Sequence, residues 1–223
     1  MFHVSERWKS AYPGASAGIL VMGNAENPER HPGLESRKEA LEKEIRQRFS
    51  GSDRTFLKKL PVMQSYEAYY KRFGKSYHVQ LQVESVAFKG KGIPRVAALV
   101  EAMFMAELKN MLLTAGHDLS YIQGSVALDA AAGTESFTML NGKEQILKAG
   151  DMMMSDGQGV ISSVLYGPDH RTRIRSDTGS VLFAVYAPQG IPTDTVREHL
   201  KDIRSNVLLV SPGAETELIG VYP

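Results

Sequence analysis

The chain of 223 residues carries 26 Lys and Arg against 25 Asp and Glu, a formal net charge of +1, which excludes a protein that binds polyanions by bulk charge. It has no cysteine, so disulfides, thiolate metal sites, Fe–S clusters and cysteine nucleophiles are all excluded. A hydrophobic fraction of 43% is enough to bury a core and excludes a disordered chain.

Pro13 and Gly14 mark a turn, and Ile19, Leu20, Val21 and Met22 form a short buried run within Tyr12–Asn24. A charged helix follows from His31-Pro32-Gly33, with Leu41, Ile45 and Phe49 on one face. Pro61 opens a second helix whose Val62, Tyr66, Tyr69, Tyr70 and Phe73 repeat at helical spacing, and Gly74 ends it. The third, from about Val96 to Thr114, is apolar over more than half its circumference and belongs at the centre of the domain. Gly116 stands where its cap is expected.

From Ser125 the period changes. Ser125–Leu128, Ser136–Leu140, Asp151–Ser155, Val160–Tyr166 and Val181–Tyr186 read as strands, and Asn141-Gly142 as a hairpin turn. An amphipathic helix over Asp194–Asn206 follows, and the tail from Ser211 reads as peripheral. No Pro/Gly/Ser-rich linker divides the chain. The expected architecture is one α/β domain of the α+β type: a central mixed sheet, a buried helix and flanking amphipathic helices. No apolar run reaches the ~20 residues of a membrane helix. Glu6, Arg7 and Lys9 occupy the place of a signal peptide's apolar stretch. A soluble, cytoplasmic protein is expected.

Gly14-Ala15-Ser16-Ala17-Gly18 matches a serine-hydrolase pattern, but a turn precedes Ser16 and a strand follows, the reverse of a nucleophile elbow. His3, His31 and His199 read as surface residues. The histidines show no metal-ligand spacing, so neither metal nor cofactor is expected. Lys71, Arg72, Lys75, Lys89, Lys91 and Arg95 stand against one acid, Glu84, with Tyr69, Tyr70, Phe73, Tyr77 and Phe88 interleaved. This segment is either an RNA surface of phosphate and stacking contacts or a basic rim with its aromatics turned inward. His117 beside Asp118, in a loop leaving the buried helix, either orients a water or only caps the helix end or hydrogen-bonds locally.

Tyr69–Gly74, Gly90-Lys91-Gly92-Ile93-Pro94, Leu99-Val100-Glu101 and Gly116-His117-Asp118-Leu119 resemble, in this order, the free-standing B3/B4 proteins. Ile122-Gln123-Gly124, Glu135-Ser136-Phe137, Leu140–Glu144, Lys148–Asp151, Asp156, Val160–Ser163 and Thr178 continue the resemblance. It covers most of the chain, read as one domain over 1–223 with the strand and charged helix of 1–60 packed on a 61–210 core. These proteins are similar to the editing domain of the phenylalanyl-tRNA synthetase β subunit.

The resemblance implies a trans-acting deacylase that hydrolyses the ester of a mischarged tRNA, with tRNA as partner and no stable protein partner. The alternative is a B3/B4 module that binds RNA without chemistry. Such a second sieve exists because similar amino acids differ too little in binding energy for one site to separate them. Carried over by position, His117 is the water- or ribose-positioning residue and Asp118 holds it. Glu135, Thr138 and Asn141 sit on neighbouring strands, and Ser162, Ser163, Tyr166 and Gly167 form the substrate wall. Glu101 stands where many members have Asp. In this respect Glu101–Leu119 is similar to the canavanyl-tRNA(Arg) deacylase branch, where a carboxylate pairs with a guanidinium-like side chain. The other reading of Glu101 is an exposed or capped helix residue.

Overall fold

The structure, a computed structural model, describes residues 2–223. Near the N-terminus, β1 (Phe2–Val4) leads into α1 (Glu6–Ala11), capped by the Ser5 hydroxyl accepting from Trp8 N at 3.0 Å. Then come β2 (Ser16–Gly23) and α2 (Pro32–Arg48), the latter with proline in its first turn, where a missing N–H costs nothing. Four helices follow: α3 (Arg54–Lys58), α4 (Pro61–Lys71), α5 (His78–Lys89) and α6 (Ala98–Asn110). Nine strands and one long helix complete the chain: β3 (Thr114–Asp118), β4 (Val126–Ala130), β5 (Ser136–Thr138), β6 (Glu144–Ile146), β7 (Met152–Asp156), β8 (Gly159–Ser163), β9 (Gly167–Pro168), β10 (Val181–Ala187), α7 (Thr193–Val210) and β11 (Glu215–Tyr222).

The expected central sheet is present as two sheets and a hairpin. The four-stranded sheet, in order β11-β2-β10-β3, is antiparallel throughout. The five-stranded sheet, in order β1-β4-β7-β8-β9, is mixed, with β1 and β4 parallel. β5 and β6 form the hairpin that Asn141-Gly142 turns. β2 and β10 are buried along their whole length, which is why both read as unbroken apolar runs. One face of the four-stranded sheet carries helices. A Cβ on Gly18 would lie 2.6 Å from Val196 of α7, and one on Gly116 would lie 3.2 Å from Met103 of α6. The opposite face meets the five-stranded sheet, and His117 lies in that layer.

Four expectations are corrected. The tail is not peripheral: β11 pairs with β2 along its length and forms an edge of the sheet. Gly116 is not a cap, because α6 ends at Met111, which takes the left-handed conformation itself with φ 59°. His117 and Asp118 therefore stand in β3, not in a loop. His199 is fully buried, its Nε2 2.8 Å from Thr114 Oγ1. α5, unmarked as an element by sequence, packs on α2 and α6.

Candidate functional site between the two sheets

Alternation along β3 sends His117 to the face opposite Gly116, into the layer between the sheets. Its register partner is Leu182 of β10, and on the same strand Tyr186 hydrogen-bonds Ser162 of β8 across the layer. His117 is fully buried. Its Nδ1 lies 2.8 Å from Thr172 Oγ1, and the Thr172 hydroxyl donates to Asp169 Oδ1. A hydroxyl has one proton, so Thr172 accepts from the ring, and Nδ1 carries the hydrogen. Nε2 is then the bare lone pair, and it has no hydrogen-bond partner among the described residues. Burial pushes the imidazole down to about 3; the nearby Arg171 charge adds to this and Asp156 opposes it. His117 is neutral, and suited to accepting a hydrogen bond rather than holding a proton.

The strap from Asp169 to Ser180 closes this position. Asp118 N donates to Thr172 O at 2.7 Å and Leu119 N to Ser180 O at 2.9 Å. Arg171 grips Asp156 with two hydrogen bonds of 3.0 and 2.8 Å, and the Arg175 guanidinium lies 3.8 Å from the Tyr121 ring centroid. Asp118 does not hold His117. Its carboxylate accepts from Thr178 Oγ1 at 2.7 Å and Ser120 N at 3.0 Å, because β-strand alternation turns it to the other face.

Ser163 leads to a second buried group. Its hydroxyl donates to Asp151 Oδ2, while Tyr69 OH donates to Asp151 Oδ1 at 2.6 Å. Burial raises Asp151 to about 6 against those hydrogen bonds. Tyr166 N donates to Ser163 Oγ at 3.2 Å, and Lys75 Nζ sits 4.3 Å from the Tyr166 ring centroid. Gly167 pairs with Ser163 and takes φ 82°, the left-handed region that only glycine enters freely. The expected wall is divided: Ser162 faces Tyr186 in the layer between the sheets, while strand alternation turns Ser163 to the other face of β8, beside Asp151 and on the side where Met153 and Tyr166 pack against Phe137.

Glu135, Thr138 and Asn141 lie at the β5–β6 hairpin. Glu135 accepts from the backbone N–H groups of Ala132, Gly133 and Thr134 at 2.9 to 3.2 Å. Thr138 donates to Glu144, and Asn141 Oδ1 accepts from Lys143 N in the turn. The hairpin touches the strap, since His170 N donates to Thr138 O at 2.8 Å.

Glu101 is not in this layer. It is buried on the helical side, where its Oε1 accepts from Lys38 Nζ at 2.8 Å and Val96 N at 3.0 Å. Neither exposed nor free, it answers the Lys38 charge. The basic segment also divides. Lys71, Arg72 and Lys75 lie before α5, and Lys89, Lys91 and Arg95 at its C-terminal end and beyond, about 18 Å apart for its 12 residues. All six are exposed, but Tyr69, Tyr70 and Tyr77 are buried among core aromatics, Tyr77 stacking on Tyr66 at 4.1 Å. Their stacking surface is used inside the fold. Sequence reasoning left Thr172 without a role; the signal was Asp169-x-x-Thr172, in which the carboxylate also accepts from Thr172 N at 3.0 Å.

Fold and buried layer together define a mixed α/β domain with a neutral histidine held between two sheets. The profile of the B3/4 domain matches residues 66–206, and the chain belongs to that family. The chain is similar, at 36% identity over 69 residues, to the phenylalanine–tRNA ligase β subunit of Mycoplasma pneumoniae. That match covers 31% of the chain and 9% of the relative. An N-terminal fragment of the phenylalanyl-tRNA synthetase β subunit from Pyrococcus horikoshii shares the fold, with a TM-score of 0.51 at 14% identity. The whole chain aligns to it but spans only 54% of that fragment. Among the described residues, no helix is long and apolar enough to cross a membrane.

Proposed function

We propose that this protein is a trans-acting aminoacyl-tRNA deacylase, hydrolysing the ester of a mischarged tRNA. The observation that carries this reading is the bare, buried Nε2 of His117, held in one tautomer by Thr172 and Asp169. Membership of the B3/4 family and the relatives' association with tRNA support it. In the reaction, Nε2 accepts a hydrogen bond from the attacking water and aims its oxygen at the ester carbonyl. The carbon–oxygen ester bond breaks, and the terminal ribose hydroxyl leaves with the proton that the water supplies. Orientation rather than proton storage gives the rate, consistent with a ring of such low basicity.

Substrate reaches Nε2 past the Arg173–Ser180 end of the strap, while its Asp169–Thr172 end stays on the ring. Ser162 then faces the aminoacyl end, Ser163 supports Tyr166 and Gly167 where the strand leaves β8, and Glu135, Thr138 and Asn141 stand at the rim. Lys71, Arg72 and Lys75 supply charge for the RNA. Replacement of Arg171 on Asp156 by a guanidinium-like side chain, beside Ser162, suits a basic or polar amino acid such as an arginine analogue. The test is incubation with a panel of mischarged tRNAs, canavanyl-, phenylalanyl- and tyrosyl-tRNA among them. Ester loss that disappears in His117→Ala is the expected result. No loss above buffer hydrolysis on any tRNA sinks the proposal.

The full burial of His117 favours a second reading, a module that binds RNA without chemistry. It requires salt-sensitive RNA binding and no deacylation on the same panel.

A further inference from the structure

A concave pocket of about 240 Å³ opens between α3, α4 and the start of α5. Its walls carry four cations, Arg54, Lys58, Lys71 and Lys75, and one acid, Glu67. Arg54 is already neutralised: its Nε lies 2.8 Å from Glu84, which also accepts from Gln80 Nε2 at 2.6 Å. Among the described residues, Lys58, Lys71 and Lys75 pair with no carboxylate within 4.0 Å, although Glu67 shares their pocket. Lys58 is half-buried there. Three unpaired ammonium groups around one concavity repel one another, and an anion between them relieves that repulsion. Ser76 adds a hydroxyl to the wall. The volume is several times the ~30 Å³ share of a water molecule, room for a phosphate group.

The pocket adjoins the proposed substrate wall. Lys75 lines the pocket and also caps the Tyr166 ring, whose backbone N–H holds Ser163. A strand whose end lies against Tyr166 therefore carries its following backbone past Lys75 and into the pocket. We propose that this pocket binds a backbone phosphate of RNA, close behind the end that enters at Tyr166. The proposal rests on the RNA substrate of the preceding section and names where that RNA is held. It extends the surface beyond Lys71 and Lys75 to Lys58 on α3, and it assigns no contact to Lys89, Lys91 or Arg95 at the far end of α5.

The experiment measures binding of a fluorescent single-stranded RNA ending in CCA across a salt series. It compares the wild type with Lys58→Glu, Lys71→Glu and a control, Lys43→Glu, whose charge lies on the exposed face of α2. Each pocket variant is expected to lose about tenfold in affinity at low salt, and the log–log salt slope to fall by about 0.7. The control keeps wild-type affinity, and thermal melts confirm that all variants fold. Wild-type affinity in both pocket variants overturns the proposal, as does a wild type with no salt-sensitive RNA binding. Titration with inorganic phosphate, followed by NMR at Ser76 and Gln80, separates the sources. Saturable shifts with RNA binding insensitive to both variants assign the pocket to free phosphate and overturn the RNA assignment. RNA binding lost in both variants, with no deacylation by the wild type on any tRNA, keeps the pocket and removes the deacylase reading.

Discussion

His117 Nδ1 donates to Thr172 Oγ1 over 2.8 Å, and the Thr172 hydroxyl donates in turn to Asp169. One threonine hydroxyl therefore decides which ring nitrogen is free. Without it both tautomers are available, and the ring loses its only protein partner. Thr172→Val preserves shape and removes the hydroxyl. Deacylation is expected to fall roughly 100-fold in kcat, with little change in KM. Thr172→Ser restores it. The imidazole ¹⁵N shifts report the tautomer directly, and a Thr172→Val protein with wild-type shifts would show that Thr172 does not position the ring.

Lys38 and Glu101 test whether the acid on the central helix serves the substrate or the fold. Both are about 3% exposed and joined at 2.8 Å, with Glu35 also on the lysine at 2.9 Å. Removing one partner of such a pair leaves a buried charge uncompensated, at about 3–5 kcal/mol. Lys38→Met should lose that much stability in urea unfolding, and Lys38→Met with Glu101→Gln should recover most of it. Glu101→Gln alone should change stability without altering the order of preference among mischarged tRNAs. A reversal of that order would return Glu101 to the substrate.

Elements with an apolar stripe or an unbroken apolar run were legible because their own side chains carry the signal. Leu41 and Ile45 of α2, Val196 and Leu200 of α7, and the runs of β2 and β10 are all buried where their periodicity puts them. α5 shows Val79, Val83 and Val86 at helical spacing, but the lysines on both sides of it give the same stretch the pattern of an RNA surface. β3 reads Thr-Ala-Gly-His-Asp, with no apolar pattern; it is a strand because β10 pairs with it. β11 alternates in burial along its first half, yet an edge strand after a long helix reads locally as a tail. The same limit governs the site. His117 was visible as a residue, but its partner stands 55 positions away, and which face of β3 it occupies depends on register that a single chain does not reveal.

Glu107 makes stability depend on pH in a direction unusual for a carboxylate. It is buried on α6, accepts from Thr114 N at 2.9 Å, and burial raises it to about 8 despite that hydrogen bond. The folded protein then binds a proton that the unfolded chain releases above about pH 4.5. Its stabilising contribution is complete below pH 4.5 and is lost as pH rises to about 8. Glu107→Gln fixes the neutral form and keeps the acceptor for Thr114. Its melting temperature should match the wild type near pH 4.5 and exceed it at pH 9, by roughly 2–4 kcal/mol in stability. Equal curves at both pH values would mean that the carboxyl ionises in place.

Arg171 is the pin whose removal should open the strap over His117. Its two hydrogen bonds to Asp156, at 3.0 and 2.8 Å, tie the strap to the end of β7, and its charge helps depress the ring. Burial supplies the larger part of that depression, so the ring titrates near 3 only while the strap is closed. Arg171→Ala should raise the His117 pKa, followed by NMR, from about 3 toward the ordinary ~6.5. Hydrogen exchange at the Asp118 amide, which donates to Thr172 O at 2.7 Å, should accelerate in parallel. Lys201→Ala, on the solvent face of α7, should change neither. If Arg171→Ala moves the pKa slightly and leaves exchange at Asp118 unchanged, Arg171 acts on His117 through charge alone and another contact holds the strap.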